Sequence, residues 1–145
     1  MTPEDKHSGS LQYKLHVRTT RRTELKGVTK EVQAVLRESA CKDGMCYLYV
    51  PHTTAGVLIN EGYDPAVARE IEEAFDRIVP KVANSKHDEG NSDSHIKTAL
   101  IGSSQTVWIE NGKLALGPWQ AIFFAEFDGP RTRELRVKIV PEVAG

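Results

Sequence analysis

His52, His87 and His95 are the residues of this 145-residue sequence best placed for metal binding or proton transfer. His52 follows an apolar run, at the point where the chain enters a turn of small residues, Thr53 to Gly56. His87 lies in a long polar stretch, and His95 ends it. Imidazoles at the ends of regular elements are held rigidly and stay open to a ligand. Three neutral imidazoles form a donor set for Zn²⁺ first, with Fe²⁺ or Ni²⁺ as alternatives, and leave a fourth position for water or substrate. Mg²⁺ is a further candidate, although as a hard ion it prefers oxygen donors. Glu61, Asp64 and Asp88 are the carboxylates that would fix a ring tautomer or serve as base toward a metal-bound water. The spacing is not diagnostic: H-x₇-H is no standard metal signature, and His52 and His87 are 35 positions apart. Scattered histidines are the more frequent outcome. His7 and His16 read as incidental.

Other polar positions suggest a substrate. Ser103 and Ser104 follow Gly102 in a turn whose hydroxyls and N–H groups could hold a phosphate or a carboxylate, although it is no P-loop and a plain hairpin entry is the more frequent reason for such a turn. Gln120 comes after Gly117-Pro118-Trp119 and could be presented to a pocket. Trp119 by default reads as a core aromatic. Arg131, Arg133 and Arg136 are expected to form a solvated face. Cys41 and Cys46 do not make a C-x-x-C pair, and two partly buried free thiols in a reducing cytoplasm are expected.

The elements that must position these residues follow from periodicity. Leu11, Tyr13, Leu15 and Val17 alternate with polar residues as in a half-buried strand. Thr29 is expected to cap a helix carrying Val32, Val35 and Leu36, with Val28 as one half of a hydrophobic staple. Met45–Val50 and Val57–Asn60 read as strands. Asp64-Pro65 starts a second helix, whose stripe is Val67, Ile71, Ala74, Phe75 and Ile78, with Glu70, Glu72 and Glu73 outside. Residues 83–94 are polar and aperiodic, a loop that a compact domain rarely keeps without a use. His95–Ile101 is a short apolar segment. Thr106–Glu110 and Lys113–Leu116 form a hairpin around Asn111-Gly112, a type I′ signal. Gln120–Phe127 and Glu134–Val140 are the last strands. Residues 1–10 read as a disordered tail and 11–145 as one domain of α+β class.

Hydrophobic residues at 39% and charged residues at 27% describe an ordinary globular chain. A net charge of −1 supplies no field toward nucleic acid or anionic lipid. The sequence lacks a membrane-length apolar run and a signal-peptide core, so a soluble cytoplasmic protein is expected, with no nucleic-acid or membrane partner.

Seven motifs occur in order: His52-Thr53-Thr54-Ala55-Gly56, Asn60-Glu61, Asp64-Pro65, His87-Asp88-Glu89-Gly90-Asn91, His95-Ile96-Lys97, Gly102-Ser103-Ser104 and Leu116-Gly117-Pro118-Trp119-Gln120. Together they resemble the YjbQ family, also described as secondary thiamine-phosphate synthases, from about Leu11 to Val140. The resemblance implies an α+β fold with antiparallel sheet and two main helices, a homotrimer, and a metal pocket onto which His52, His87 and His95 map. It also implies a weak capacity to make thiamine phosphate. The sequence departs from the family at Pro118, usually Thr, and at Ser94, commonly Ala.

Two functional classes follow. The first is a metal-dependent transferase or hydrolase acting on a small phosphorylated molecule, thiamine-phosphate synthase-like in one version. Pyrophosphate chemistry usually employs Mg²⁺ whereas imidazoles favour softer ions, so the thiamine activity reads as secondary. The alternative is a non-catalytic trimeric module that binds a metal or an anion.

Overall fold

The computed structural model describes residues 3–7, 10–81 and 90–143. Among these, strands β1 (Pro3–His7), β2 (Ser10–Arg18), β4 (Gly44–Tyr49), β6 (Ser104–Glu110), β7 (Lys113–Leu114) and β9 (Thr132–Pro141) build one sheet in the order β1-β2-β9-β4-β6-β7. A second sheet, β3-β8-β5, joins β3 (Glu24–Gly27), β8 (Gln120–Glu126) and β5 (Ala55–Glu61). Every pairing is antiparallel. Three helices complete the set: α1 (Thr29–Ser39), α2 (Pro65–Ile78) and α3 (Ser92–Ile101). The α+β class and antiparallel sheets agree with the sequence reading. Three features differ. Residues 3–7, read as part of a tail, run as β1 against β2, β3 has no counterpart in the sequence reading, and a third helix is present.

The period-two pattern of β8 explains the layers. Ile122 and Phe124 point into a core shared with Tyr13, Leu15, Val35, Leu36, Leu48, Val107 and Ile139, between the two sheets and under α1. Phe123 and Ala125 point the other way, joining Leu25 and Phe127 beneath half-buried Leu58, Ile71, Phe75 and Ile101. The small sheet is therefore covered on both faces, by the large sheet with α1 and by α2 with α3.

Helix starts follow the expected chemistry in one case and not in the other. Asp64 caps α2, its Oδ1 accepting from the Ala66 N–H at 2.9 Å, with Pro65 at the first position. In α1 the cap residue is Val28, and Thr29 is already helical. The Thr29 hydroxyl instead accepts from the Ile122 N–H at 2.8 Å, which ties the helix start to β8. The Asn111-Gly112 turn has positive φ at both residues, 52° and 74°, as type I′ requires.

The surfaces of α2 and α3 correct the sequence reading. Glu72, expected outside, is buried; its carboxylate accepts from both Arg21 guanidinium nitrogens (2.8 and 3.0 Å) and from the Leu25 N–H (2.7 Å). Ile78, expected inside, is 70% exposed. α3 buries Asp93, Ser94, Lys97 and Thr98 and exposes Ile96 and Leu100. Lys97 is held by Asp76 at 2.7 Å and Asp93 at 3.5 Å, and Arg22 grips Asp93 with two bonds. Ion pairs and hydrogen bonds therefore dock this helix where an apolar stripe usually would.

Candidate functional site

The two ends of the small sheet hold different sets of chemistry-bearing residues. At one end β5 starts after the His52-Thr53-Thr54 turn, β8 runs into Phe127-Asp128, and α3 begins. At the other end β5 finishes at Glu61 opposite Gln120 of β8. β5 has seven residues, so the two ends lie about 20 Å apart at roughly 3.3 Å per residue.

The first end is organised around Glu126. Its side chain is fully buried and accepts from Thr19 Oγ1 at 2.7 Å, Arg133 Nε at 2.9 Å, and the N–H groups of Asp128 (3.0 Å) and Phe127 (3.1 Å). Burial pushes its carboxyl upward, but the bonds from Arg133 and Thr19 outweigh that and hold the group below the usual carboxylate range. Arg133 also donates to Thr54 Oγ1 at 2.8 Å, which fixes the turn beside His52. Arg133 was expected on a solvated face and is 5% exposed. The physical reason is register, because Arg133 shares a strand face with buried Leu135, Val137 and Ile139. That same alternation was the signal by which the sequence could have revealed it.

Gly129 closes the β8–β9 turn against this cluster. A Cβ there would lie 2.4 Å from the Arg21 carbonyl oxygen and 2.8 Å from both Glu126 Cγ and Thr19 Oγ1. Asp128 accepts from Asn91 Nδ2 at 2.7 Å and from Arg131 at 2.9 Å, linking the turn to the start of α3. Ser94, one of the family departures, donates to the Phe127 carbonyl and accepts from Arg22 at 3.3 Å, bonds that an alanine would lack.

His52 is half-buried, and its Nε2 accepts from the Glu134 N–H at 2.9 Å. Burial and the nearby Arg133 charge lower its pKa below the ordinary imidazole value. The ring is therefore neutral at pH 7, with its lone pair on Nε2 and its proton on Nδ1. That arrangement makes Nδ1–H a hydrogen-bond donor and leaves no second lone pair for a cation. His95 lies on the exposed side of α3. His87 and Asp88 lie outside the described residues. Among the described residues no three His, Cys, Asp or Glu side chains are grouped so that they could hold a metal ion. The described residues do not by themselves fit the ion that the family resemblance implies.

The remaining candidates divide between the ends. Ser103 accepts from the Val50 N–H through its carbonyl at 2.8 Å, and Ser104 pairs with Tyr49, so both stand close along the sheet to the His52 turn. Gly102, with φ of 96°, makes that turn, and its carbonyl accepts from the Val57 N–H. Glu61, Asp64 and Gln120 belong to the far end. Gln120 Oε1 accepts from the Gly117 N–H at 2.8 Å, and the Trp119 carbonyl accepts from the Gly62 N–H at 2.9 Å. Trp119, expected in the core, is 58% exposed and meets Tyr63 edge-to-face, their ring centroids 5.1 Å apart. Cys41 and Cys46 are both buried and free, and burial pushes the Cys46 thiol up to about 12. No helix among the described residues is long and apolar enough to cross a membrane.

Comparison with known proteins agrees with this architecture. Residues 13–142 match the family described as UPF0047 protein YjbQ-like. A UPF0047 protein of Methanocaldococcus jannaschii is 51% identical over 130 residues, covering 90% of this chain and 94% of that protein. YugU of Bacillus subtilis is 45% identical over 127 residues, covering 87% and 96%. The crystal structure of a YjbQ/UPF0047 protein from Clostridium acetobutylicum superimposes with a TM-score of 0.85 at 48% identity, covering 88% and 99%. A YbjQ-like protein of unknown function from Sulfolobus solfataricus gives 0.87 at 29% identity, covering 92% and 98%. With the ordered motifs, the two-sheet topology and these matches spanning nearly the whole domain, the chain belongs to the YjbQ-like UPF0047 family.

Proposed function

We propose that this protein is an enzyme acting on a small phosphorylated molecule at the His52 end of the small sheet. The observation that supports the reading is the neutral His52 ring, fixed in one tautomer by the Glu134 N–H and set beside the Arg131–Asp128 and Arg133–Glu126 pairs. A neutral imidazole with a committed Nδ1–H can donate a hydrogen bond to a phosphoryl oxygen as charge builds on it, and half-exposed Arg131 supplies positive charge beside it. A divalent cation, Zn²⁺ before Fe²⁺, Ni²⁺ or Mg²⁺, takes part only if His52 gives up its bond to Glu134 and joins His87 and His95. Thiamine-phosphate formation is the first transferase reaction to assay, and phosphomonoester hydrolysis the first hydrolase reaction.

The test combines turnover of a panel of small phosphorylated compounds with elemental analysis of wild type and the His52→Ala, His87→Ala and His95→Ala variants. His52→Ala is expected to lower kcat/KM by about 100-fold, the loss typical of a removed hydrogen-bond donor to developing charge, while circular dichroism stays unchanged. Wild-type turnover in that variant would count against the reading. Bound metal with no turnover by wild type would favour the non-catalytic module. The homotrimer belongs to the same proposal. Tyr47, Tyr49 and Trp108, 44%, 50% and 65% exposed, lie on the outer face of the large sheet and would supply its apolar contact. Trp108→Asp is then expected to sediment as a monomer where wild type sediments as a trimer; equal masses would contradict it.

A further inference from the structure

The far end of the small sheet carries a cleft of about 550 Å³, a volume that suits a small ligand. Tyr63 and Trp119 form one wall, and the first turn of α1 forms another. Both rings are largely exposed, at 77% and 58%, although they hold each other edge-to-face. The edge-to-face contact favours one mutual orientation of the rings while much of their apolar surface faces water. A ligand that stacks there gains burial and loses little side-chain freedom.

The charged residues lining the cleft are Lys30 and Glu31, neighbours in one helical turn, and neither has an ion-pair partner among the described residues. Their charges balance, which disfavours a strongly anionic or cationic ligand. Lys30 offers only donors and Glu31 only acceptors. A flat ring whose edge carries both a lone pair and an N–H satisfies both. Gly27 lines the same cleft, and a Cβ built on it meets nothing within 4 Å.

We propose that this cleft binds a neutral, planar nitrogen heterocycle, its face against Trp119 and its donor–acceptor edge read by Lys30 and Glu31. The site lies about 20 Å from the His52 end, the length of seven-residue β5, and the proposal holds whether or not that end is catalytic.

The chain has two tryptophans, so a Trp108→Phe background leaves Trp119 as the sole indole reporter. Adenosine is the probe, with ribose and inorganic phosphate as controls, followed by fluorescence and by titration calorimetry. Saturable quenching by adenosine, on the order of millimolar or tighter, is expected, with none from ribose or phosphate. Gly27→Leu should fill the cleft and abolish binding without a clash in the fold. Tyr63→Ala should weaken binding roughly tenfold, as loss of an aromatic contact does. His52→Ala should leave the titration unchanged. The proposal is overturned if ribose or phosphate binds as adenosine does, if adenosine gives neither saturable quenching nor heat, or if Gly27→Leu binds like wild type.

Discussion

His52 shows how far a residue's neighbours decide its chemistry. A histidine after a buried strand suits ligation, base catalysis or plain structure equally well. The Glu134 N–H on Nε2 narrows that choice to a neutral ring with its proton on Nδ1. Its folded pKa lies below 6.5. Between that folded value and 6.5 the unfolded chain binds a proton that the folded chain resists. Stability therefore falls as pH drops across this interval and is flat above it. Glu126 and Asp93 act lower down. Both are pushed up by burial but held below their ordinary 4.5 and 3.8, Glu126 by Arg133 and Thr19, and Asp93 by Arg22 and Lys97. Their contribution is present above those values and is lost as pH falls through the folded ones. His52→Gln keeps an acceptor for Glu134 and removes the titrating ring. Urea denaturation across pH 5 to 7 (about one unit either side of the ordinary histidine range) should show the acid-side slope flattened in this variant. An unchanged slope would mean that His52 is not the group responsible.

The elements were legible where apolar periodicity sets their packing and illegible where polar groups do. β2, β4 and β8 follow alternation or apolar runs, and the start of α2 follows from Asp64-Pro65. α3 hid because its buried face is Asp93, Ser94, Lys97 and Thr98, which no hydrophobic pattern marks. β3 hid because it is four residues long, too short for a period to register. The same blindness moved Glu72 and Arg133 to the wrong side. In the candidate site, the motif residues were found individually, but Glu126, which joins the end of β2 to β9 and, through Arg133, to the β4–β5 turn, was not. Glu126→Ala leaves Arg133 buried without a counter-charge and should cost about 3–5 kcal/mol, seen as a lower urea midpoint. Glu126→Gln, which retains part of the hydrogen bonding, should cost less. Equal stability of Glu126→Ala and wild type would refute this role.

At the scale of the molecule, the small sheet acts as a spacer. It sets His52, Ser103 and Ser104 at one end and Glu61, Asp64, Gln120 and Trp119 at the other, so a single small ligand on one chain reaches one group or the other. Sequence order had suggested one pocket because chain distance carries no information about which end of a strand a residue occupies. The proposed chemistry belongs to the His52 end because the buried Glu126–Arg133 pair holds that turn and the neutral ring stands beside it. The most direct measurement is a long-range ¹H–¹⁵N spectrum of the His52 ring, followed against pH with and without inorganic phosphate. The account predicts a proton on Nδ1, a bare Nε2, a midpoint below 6.5, and resonances that move when phosphate is added. A proton on Nε2, a midpoint at or above that value, or resonances indifferent to phosphate would contradict it.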